Sequence, residues 1–542
     1  MSNQAHVEIE KKNKPARFFN TAGPVNCDKH YCLPPIERFN LKEITSLIDQ
    51  EKYFILHAPR QTGKTSCLLA LMNYLNQQGK YTCLYMNAEI AQAARENIEQ
   101  GMNNILRELA SRAKTHLHDR YLESLLPILL DGQAYGTALN QCLTEWASAS
   151  DKPLVILIDE IDSLIGDTLI SVLRQLRAGY DKRPAGFPQS VILCGVRDIR
   201  DYRIHSDREK AIITGGSAFN IKAESLRLGN FVREEVFALL QEHVNDTGQI
   251  FEPEAQSLIW EYSQGQPWLV NALGYEACFR MKEGKDRSSP ITKDMIIQAK
   301  ENLIQRRETH LDQLTDKLKE DRVRRVIGPV LEGTSLENIA QDDIEYLTDL
   351  GLIRRSASGL EISNAIYREI IPRELTTITQ YNLEPLFQQS WYVLPDRRLD
   401  TPALLTAFQE FFQENSEIWL ERFDYREAGP QLLLQAFLQR IVNSGGRIDR
   451  EYGLGRKRTD LLIIWKHDRG TQKVVIELKI LYKSLKQTIS EGLKQTAEYM
   501  DRCGSDDAHL IIFDRRPKKK WKEKIFRKTE TYEGKKIDVW GM

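Results

Sequence analysis

Between residues 53 and 196 four short runs are apolar without alternation: YFILHA at 53–58, TCLYMNA at 82–88, LVILID at 154–159 and SVILCGV at 190–196. A strand with one wet face alternates. Continuous apolarity means that both faces are covered, and with helical patterns between the runs it predicts a parallel sheet held between helices. From about 228 to 375 the period is helical, broken at Gly265-Gln266-Pro267, at Gly284 and Ser289-Pro290, and at Gly351 and Gly359. The charged stretch 301–324 reads as a solvated helical connector. From about 426 strands return. That region predicts a helix at 430–443, strands near 447–452, 459–465 and 473–479, a helix at 484–501 and a strand at 508–513. The pattern is that of an α/β protein with two α/β blocks around a helical one.

Composition narrows the class. At about 150 residues per domain, 542 residues make three or four domains. A mean hydropathy of -0.45 together with 20 Tyr, 18 Phe and 8 Trp excludes a disordered or collagen-like chain. No apolar run approaches the roughly 18–20 residues of a membrane span. The first residues carry charge but no apolar core of a signal peptide, so a soluble, cytoplasmic protein is expected. The 8 cysteines are scattered, and no second Cys/His pair joins Cys27 and Cys32 to complete a zinc set. They are expected to be reduced core thiols. A net charge of -1 requires any nucleic-acid surface to be local. The basic tail from Arg515 to Lys522, with Trp521, Phe526 and Tyr532 near it, is one candidate for backbone tracking and base stacking. A solvated charged face is the plainer reading.

The run at 53–58 leads into Ala58-Pro59-Arg60-Gln61-Thr62-Gly63-Lys64-Thr65-Ser66 and then an apolar helical pattern. A strand, a Gly-Lys-Thr loop and a helix form a P-loop. N–H groups at the helix N-terminus cradle phosphates, Lys64 neutralises them, and the Thr65 hydroxyl ligates Mg²⁺. Ala58 stands where the consensus has glycine, which is tolerable only if that position does not need a positive φ. Asp159 and Glu160 end the run at 154–159. Asp159 is placed to hold the Mg²⁺ shell, and Glu160 to polarise the attacking water as general base. Arg197 and Asp198 follow the fourth run, where a γ-phosphate sensor is expected, with a surface ion-pair cluster as the alternative. Pro267 opens a further helix, either as an ordinary first-turn proline or as an adenine-packing element.

Residues 19–375, through FFNTAGPVN, YCLPPIER, APRQTGKT, LVILIDEIDSL, GVRDIRDYR and GQPWLVNAL, resemble a bacterial AAA-like ATPase family related to the signal-transducing (STAND) ATPases. The resemblance implies an ATP-binding core at 19–227 after an N-terminal tail (1–18), a helical lid at 228–290 and a winged-helix domain at 291–375. It also implies the adenine-packing role of Pro267. Within the winged-helix segment the second helix carries Asp342, Asp343, Glu345 and Asp349. Phosphate repels such a face, so packing rather than groove reading is expected of it.

The C-terminal block, 426–542, follows a helical linker at 376–425. It sets Asp460 at the start of one strand and Glu477-Leu478-Lys479 on the next. Alternation puts Glu477 and Lys479 on one face, so Asp460 and Glu477 are expected to share a divalent metal, Mg²⁺ or Mn²⁺, with Lys479 orienting the attacking water. Gln495 and Tyr499, four apart on the following helix, complete a set that resembles the PD-(D/E)xK nuclease superfamily with its QhxxY motif. Glu427, on an earlier helix, is the candidate for the additional glutamate of that superfamily.

Joined, the two resemblances imply a fold with a P-loop ATPase core, a helical lid, a winged helix and a restriction-endonuclease-like domain. The function they imply is an ATP- and metal-dependent DNA endonuclease, in which a homo-oligomeric ATPase answers a protein trigger in antiviral defence. The alternatives are a repair or recombination enzyme that translocates on or remodels DNA, and an ATP-gated DNA-binding scaffold with an inactive nuclease fold.

Overall fold

The computed structural model describes residues 17–542 except 132–134, 199–202, 207–210, 215–218, 307–315, 319, 333–338, 357–358, 376–391, 423–433, 435–436, 439–445, 452–459, 468–469, 482–483, 515 and 517–518. It divides into two compact units, Met1–Glu308 with Glu345–Leu352, and Thr309–Ile344 with Ile353–Met542.

In the first unit the four apolar runs become β1 (Tyr53–His57), β2 (Thr82–Asn87), β3 (Leu154–Asp159) and β4 (Ser190–Gly195). A fifth strand, β5 (Lys222–Arg227), joins them. The sheet is parallel throughout, in the order β2-β3-β4-β1-β5. Alternate residues of one strand enter different cores: Tyr53 and Ile55 pack on one side of the sheet, Phe54 and Leu56 on the other. That is why the runs show no polar alternation. The β2 strand, which precedes the carboxylate strand in the chain, lies at the sheet's edge. The strand between β1 and β3 is β4. Helix α1 (Lys64–Gln78) follows β1, and α2 (Ile98–Arg112) follows β2.

Beyond the sheet come α3 (Arg233–Thr247), α4 (Pro253–Ser263), α5 (Pro267–Tyr275) and α6 (Lys293–Gln305). One expectation about thiols is overturned. Cys27 and Cys32 form a disulfide, because the turn through Asn26–Lys29 brings their Cα atoms to 5.4 Å, within bridging distance. Five of the remaining cysteines are buried free thiols, and Cys503 is half-buried.

The acidic helix of the winged-helix segment is α7 (Gln341–Asp349), followed by the antiparallel hairpin β6 (Ile353–Ser356) and β7 (Gly359–Ile362). In the hairpin Arg354 pairs with Glu361 across the strands at 2.8 Å. In the second unit Asp343 accepts from Arg322 at 3.2 Å.

Besides the helices Asp321–Glu332, Ala365–Leu375 and Thr401–Arg422, the second unit contains a six-stranded sheet. A meander of β8 (Gly446–Glu451), β9 (Asp460–His467) and β10 (Gly470–Ile480) is antiparallel. Helix α8 (Leu485–Cys503) then crosses to β11 (Asp507–Phe513), parallel to β10. Ser484 caps α8, its side chain accepting from the Gln487 N–H. The basic tail is not a tail. It holds β12 (Phe526–Tyr532) and β13 (Lys535–Gly541), an antiparallel hairpin whose second strand pairs with β11. Its aromatics are spent on packing: Trp521 stands edge-on to Phe412 at 5.9 Å, and Phe526 and Tyr532 pack on the α8 side of the sheet. Half-buried rings in those positions do not offer a base-stacking platform, which corrects that expectation. Among the described residues no helix is long and apolar enough to cross a membrane.

Candidate functional site

The loop after β1 is built for an anion. Gln61 and Gly63 take positive φ values of 58° and 91°, so successive N–H groups turn toward one point at the start of α1. Gly63 is required there by its left-handed φ, and a Cβ would also lie 2.9 Å from the movable end of Arg38, at Nη1. Ala58 is fully buried and is not among the positive-φ residues, so its methyl is accommodated. Lys64 is 5% exposed, and its ammonium donates to the carbonyls of Ala58 at 3.0 Å and Pro59 at 3.1 Å. A buried ammonium held only by two neutral carbonyls is a poor resting place for a charge and a good one for a phosphate.

Next to it the Thr65 hydroxyl donates to Asp159 Oδ2 at 2.6 Å, and Asp159 is itself fully buried. The same oxygen accepts from the Tyr85 hydroxyl at 3.1 Å, and Oδ1 accepts from the Glu160 N–H at 2.9 Å. Thr65 and Asp159 therefore stand close enough together that both could serve as donors to a hard divalent cation. Glu160 sits at φ 52°, a strained position for a glutamate. Burial is the main cause that raises its pKa, with Asp162 and Asp159 adding to it against Lys64. A raised pKa makes its carboxylate a stronger base.

A cavity of about 510 Å³ opens over this set, within the usual range for a small-molecule site of roughly 300–1,000 Å³. Gln61, Gly63, Lys64, Thr65, Ser66 and Glu160 line its phosphate side. Pro267 lines the other side and starts α5, where the Gln266 side chain accepts from the Leu269 N–H at 2.6 Å. The glycine before it is obligatory, since a Cβ on Gly265 would lie 1.9 Å from the Phe231 carbonyl oxygen. The lining also includes residues that sequence reasoning missed. The segment at 20–25 crosses the mouth, tied by Val25 N–H to Ser66 Oγ at 2.9 Å and by Trp268 Nε1 to the Thr21 carbonyl at 2.9 Å. Tyr85 and Arg38 also reach the cavity. Only the resemblance of FFNTAGPVN and YCLPPIER hinted at this first segment, because its residues carry no phosphate chemistry of their own.

In the second unit Glu477 and Lys479 lie on one face of β10, Glu477 fully buried and its Oε1 paired with Lys479 Nζ at 2.5 Å. Leu461 faces Ile476 in the β9–β10 register, and one further step sets the Asp460 position across from Glu477. The side chain of Asp460 lies outside the described residues, as does Glu427 entirely. Val475, two residues from Glu477, packs in the same core as Leu493, Ala497 and Tyr499 of α8. Glu477, Lys479, Gln495 and Tyr499 thus gather on the α8 side of the sheet. Gln495 Oε1 is buried with no hydrogen-bond partner. Among the described residues no group of three or more His, Cys, Asp or Glu is arranged around a metal position.

An AAA-like domain family matches residues 33–372, more than half of the sequence. The chain belongs to that family. No curated protein matches it. Among solved structures it is similar to a Walker-type ATPase of Pyrococcus abyssi at 15% identity, covering 65% of this chain and 99% of that one with a TM-score of 0.44. It is also similar to Cdc6p of Pyrobaculum aerophilum at 13% identity, covering 66% and 98% with a TM-score of 0.35. The RuvB Holliday junction branch migration motor of Thermotoga maritima matches at 12% identity, covering 62% and 95% with a TM-score of 0.32. At these scores the three likenesses carry no argument.

The two sensor candidates of the AAA-like unit are engaged elsewhere. Asp198 forms a buried ion pair with Lys222 at 2.6 Å. Arg197 lies over the Tyr346 ring at 4.7 Å and 3.8 Å from Asp349, and neither it nor Asp198 lines the cavity.

Proposed function

We propose that this AAA-like protein hydrolyses ATP and acts on DNA, in the manner of a repair or recombination ATPase that remodels its substrate, with phosphodiester cleavage by the second unit as a coupled activity. The observation that carries the first half is that Lys64, Thr65 and Glu160 line one cavity, with the buried Asp159 accepting from Thr65 at 2.6 Å. Lys64 and the N–H groups of α1 bind the phosphates, Thr65 and Asp159 hold Mg²⁺, and Glu160 takes the proton of the attacking water. A divalent cation held by Thr65 and Asp159 would supply charge neutralisation at the phosphates. Asp460 and Glu477 are the proposed ligands of a second divalent cation, with Lys479, Gln495 and Tyr499 around it; what supports this is the strand register and the shared face. Oligomerisation through the AAA-like unit belongs to the same proposal.

A second reading, a DNA-binding scaffold with an inactive nuclease fold, is favoured by the ion pair that already occupies Glu477 with Lys479. Phosphate release and DNA cleavage, measured in Mg²⁺ on wild type, Lys64→Ala and Glu477→Gln with and without DNA, separate the readings. Expected are DNA-stimulated ATP hydrolysis that Lys64→Ala abolishes, and cleavage that Glu477→Gln abolishes while hydrolysis persists. No cleavage by the wild type in Mg²⁺ or Mn²⁺ leaves the scaffold reading standing.

A further inference from the structure

Besides Lys64, two arginines line the nucleotide cavity: Arg38, whose guanidinium donates to the carbonyls of Thr62 and Gly229, and Arg112. Arg112 ends α2, and its Nε donates to Glu108 Oε1, one turn back, at 2.7 Å. The guanidinium carbon lies 5.4 Å from the centre of the Tyr85 ring, and the Tyr85 hydroxyl is the one that donates to Asp159. Arg112 also lines the cavity shared by Lys64, Thr65 and Glu160. Among the described residues Nη1 and Nη2 have no acceptor: Glu108 takes Nε alone. A solvated surface arginine wanders. This one is held at Nε by Glu108 and lies near a buried ring, which restrains its orientation while its terminal nitrogens stay available to the cavity.

We propose that Arg112 is a catalytic arginine supplied in cis, donating through Nη1 and Nη2 to the γ-phosphoryl oxygens in the transition state of nucleoside triphosphate hydrolysis. The proposal rests on the ATP-hydrolysing reading above. In that reaction the water oxygen bonds to the γ-phosphorus and its proton passes to Glu160. The bond from phosphorus to the β–γ bridging oxygen breaks, and its electron pair leaves with the diphosphate. Charge shifts across the γ-phosphoryl group and the leaving oxygen as this happens, and a planar fork of donors stabilises it better than a point charge does. Arg197 does not compete for the role, since it does not line the cavity. Both α2 and the Tyr85 strand belong to the same unit as the P-loop, so no second subunit is needed to deliver the group.

The test measures ATP turnover and binding of a fluorescent ATP analogue on the full chain, as wild type, Arg112→Ala, Arg112→Lys and Glu160→Gln. Arg112→Ala is expected to lower kcat about 100- to 1,000-fold, the usual loss for one transition-state donor. Analogue affinity should stay within about threefold, since the interaction belongs to the transition state. Arg112→Lys should recover part of the rate. A residue that only braces α2 would instead lower the melting temperature and leave kcat alone. Should Arg112→Ala fail to fold, Glu108→Ala keeps the guanidinium and frees its orientation, and a loss of about 10-fold in kcat is expected of it. Wild-type kcat in Arg112→Ala, or in Glu108→Ala where that is the variant measured, overturns the proposal. If the wild type releases no phosphate from ATP, the ATPase assignment itself fails and the proposal falls with it; equal rates in the wild type and Glu160→Gln would remove only the base role of Glu160.

Discussion

His57 closes β1 immediately before the P-loop, and it illustrates how one side chain ties the site to stability. Burial pushes its pKa down to about 4, and Arg227, Lys222 and Lys64 add to burial while Asp198 opposes it. The Asp349 carboxylate 3.8 Å from Nδ1 does not reverse the balance. A histidine neutral in the fold but free to protonate near 6.5 once unfolded contributes stability above that value. The contribution fades as pH falls from about 6.5 toward 4, because only the unfolded chain gains the proton. Urea unfolding followed from pH 7.5 to pH 4.5 should therefore show a steeper acid loss in the wild type than in His57→Gln. Parallel curves would remove His57 from the account. At this scale the sequence was readable where chemistry dictates residue type: Lys64, Thr65, Asp159 and Glu160 are named by what a phosphate and a cation require. Arg38, Tyr85 and Arg112 were not readable, since an arginine or tyrosine at a helix end or in a strand looks the same whether it faces solvent or a cavity.

The elements repeat the lesson with a different cause. Strands β1 to β4 were legible because continuous apolarity has one interpretation in a sheet covered on both faces. Helix α8, expected at 484–501, runs Leu485–Cys503 because its Ser484 cap and its amphipathic period agree. The β12–β13 hairpin was hidden: lysines and arginines on its exposed positions look like a charge run, and the signal that betrays it is the turn at Glu533-Gly534, with φ values of 48° and 79°. The contact between α8 and the sheet depends on one small residue. A Cβ on Gly492 would lie 2.6 Å from Leu510 Cδ1 and 2.7 Å from Cδ2. Gly492→Val should push α8 off β11 and destabilise the second unit by about 1–3 kcal/mol, read as a lowered denaturant midpoint. Because Gln495 and Tyr499 ride on the same helix, cleavage should fall with it; an unchanged midpoint would mean that the helix docks more loosely than its packing implies.

Among the described residues the two sheets have separate cores. Those of the parallel sheet draw on residues within 44–228, and those of the six-stranded sheet on residues within 392–542, with no residue in common. A cooperative transition follows the core that melts, so two such sets predict two calorimetric transitions. A ligand raises only the transition of the unit whose native state binds it. ATP with Mg²⁺ at 100 times its Kd adds about 2.7 kcal/mol to that unit, which for a body of this size is a shift of several degrees. Scanning calorimetry with and without ATP should thus move one peak upward and leave the other in place. The Lys64→Ala chain should show both peaks and no shift, because the phosphate counter-charge is gone while Lys64 contributes little to either core. Assignment of the moving peak comes from Gly492→Val, which should lower the other one. If ATP moves both peaks together, the units unfold as one cooperative body and the nucleotide's binding energy is already shared with the second site, a coupling that the separate cores alone do not provide.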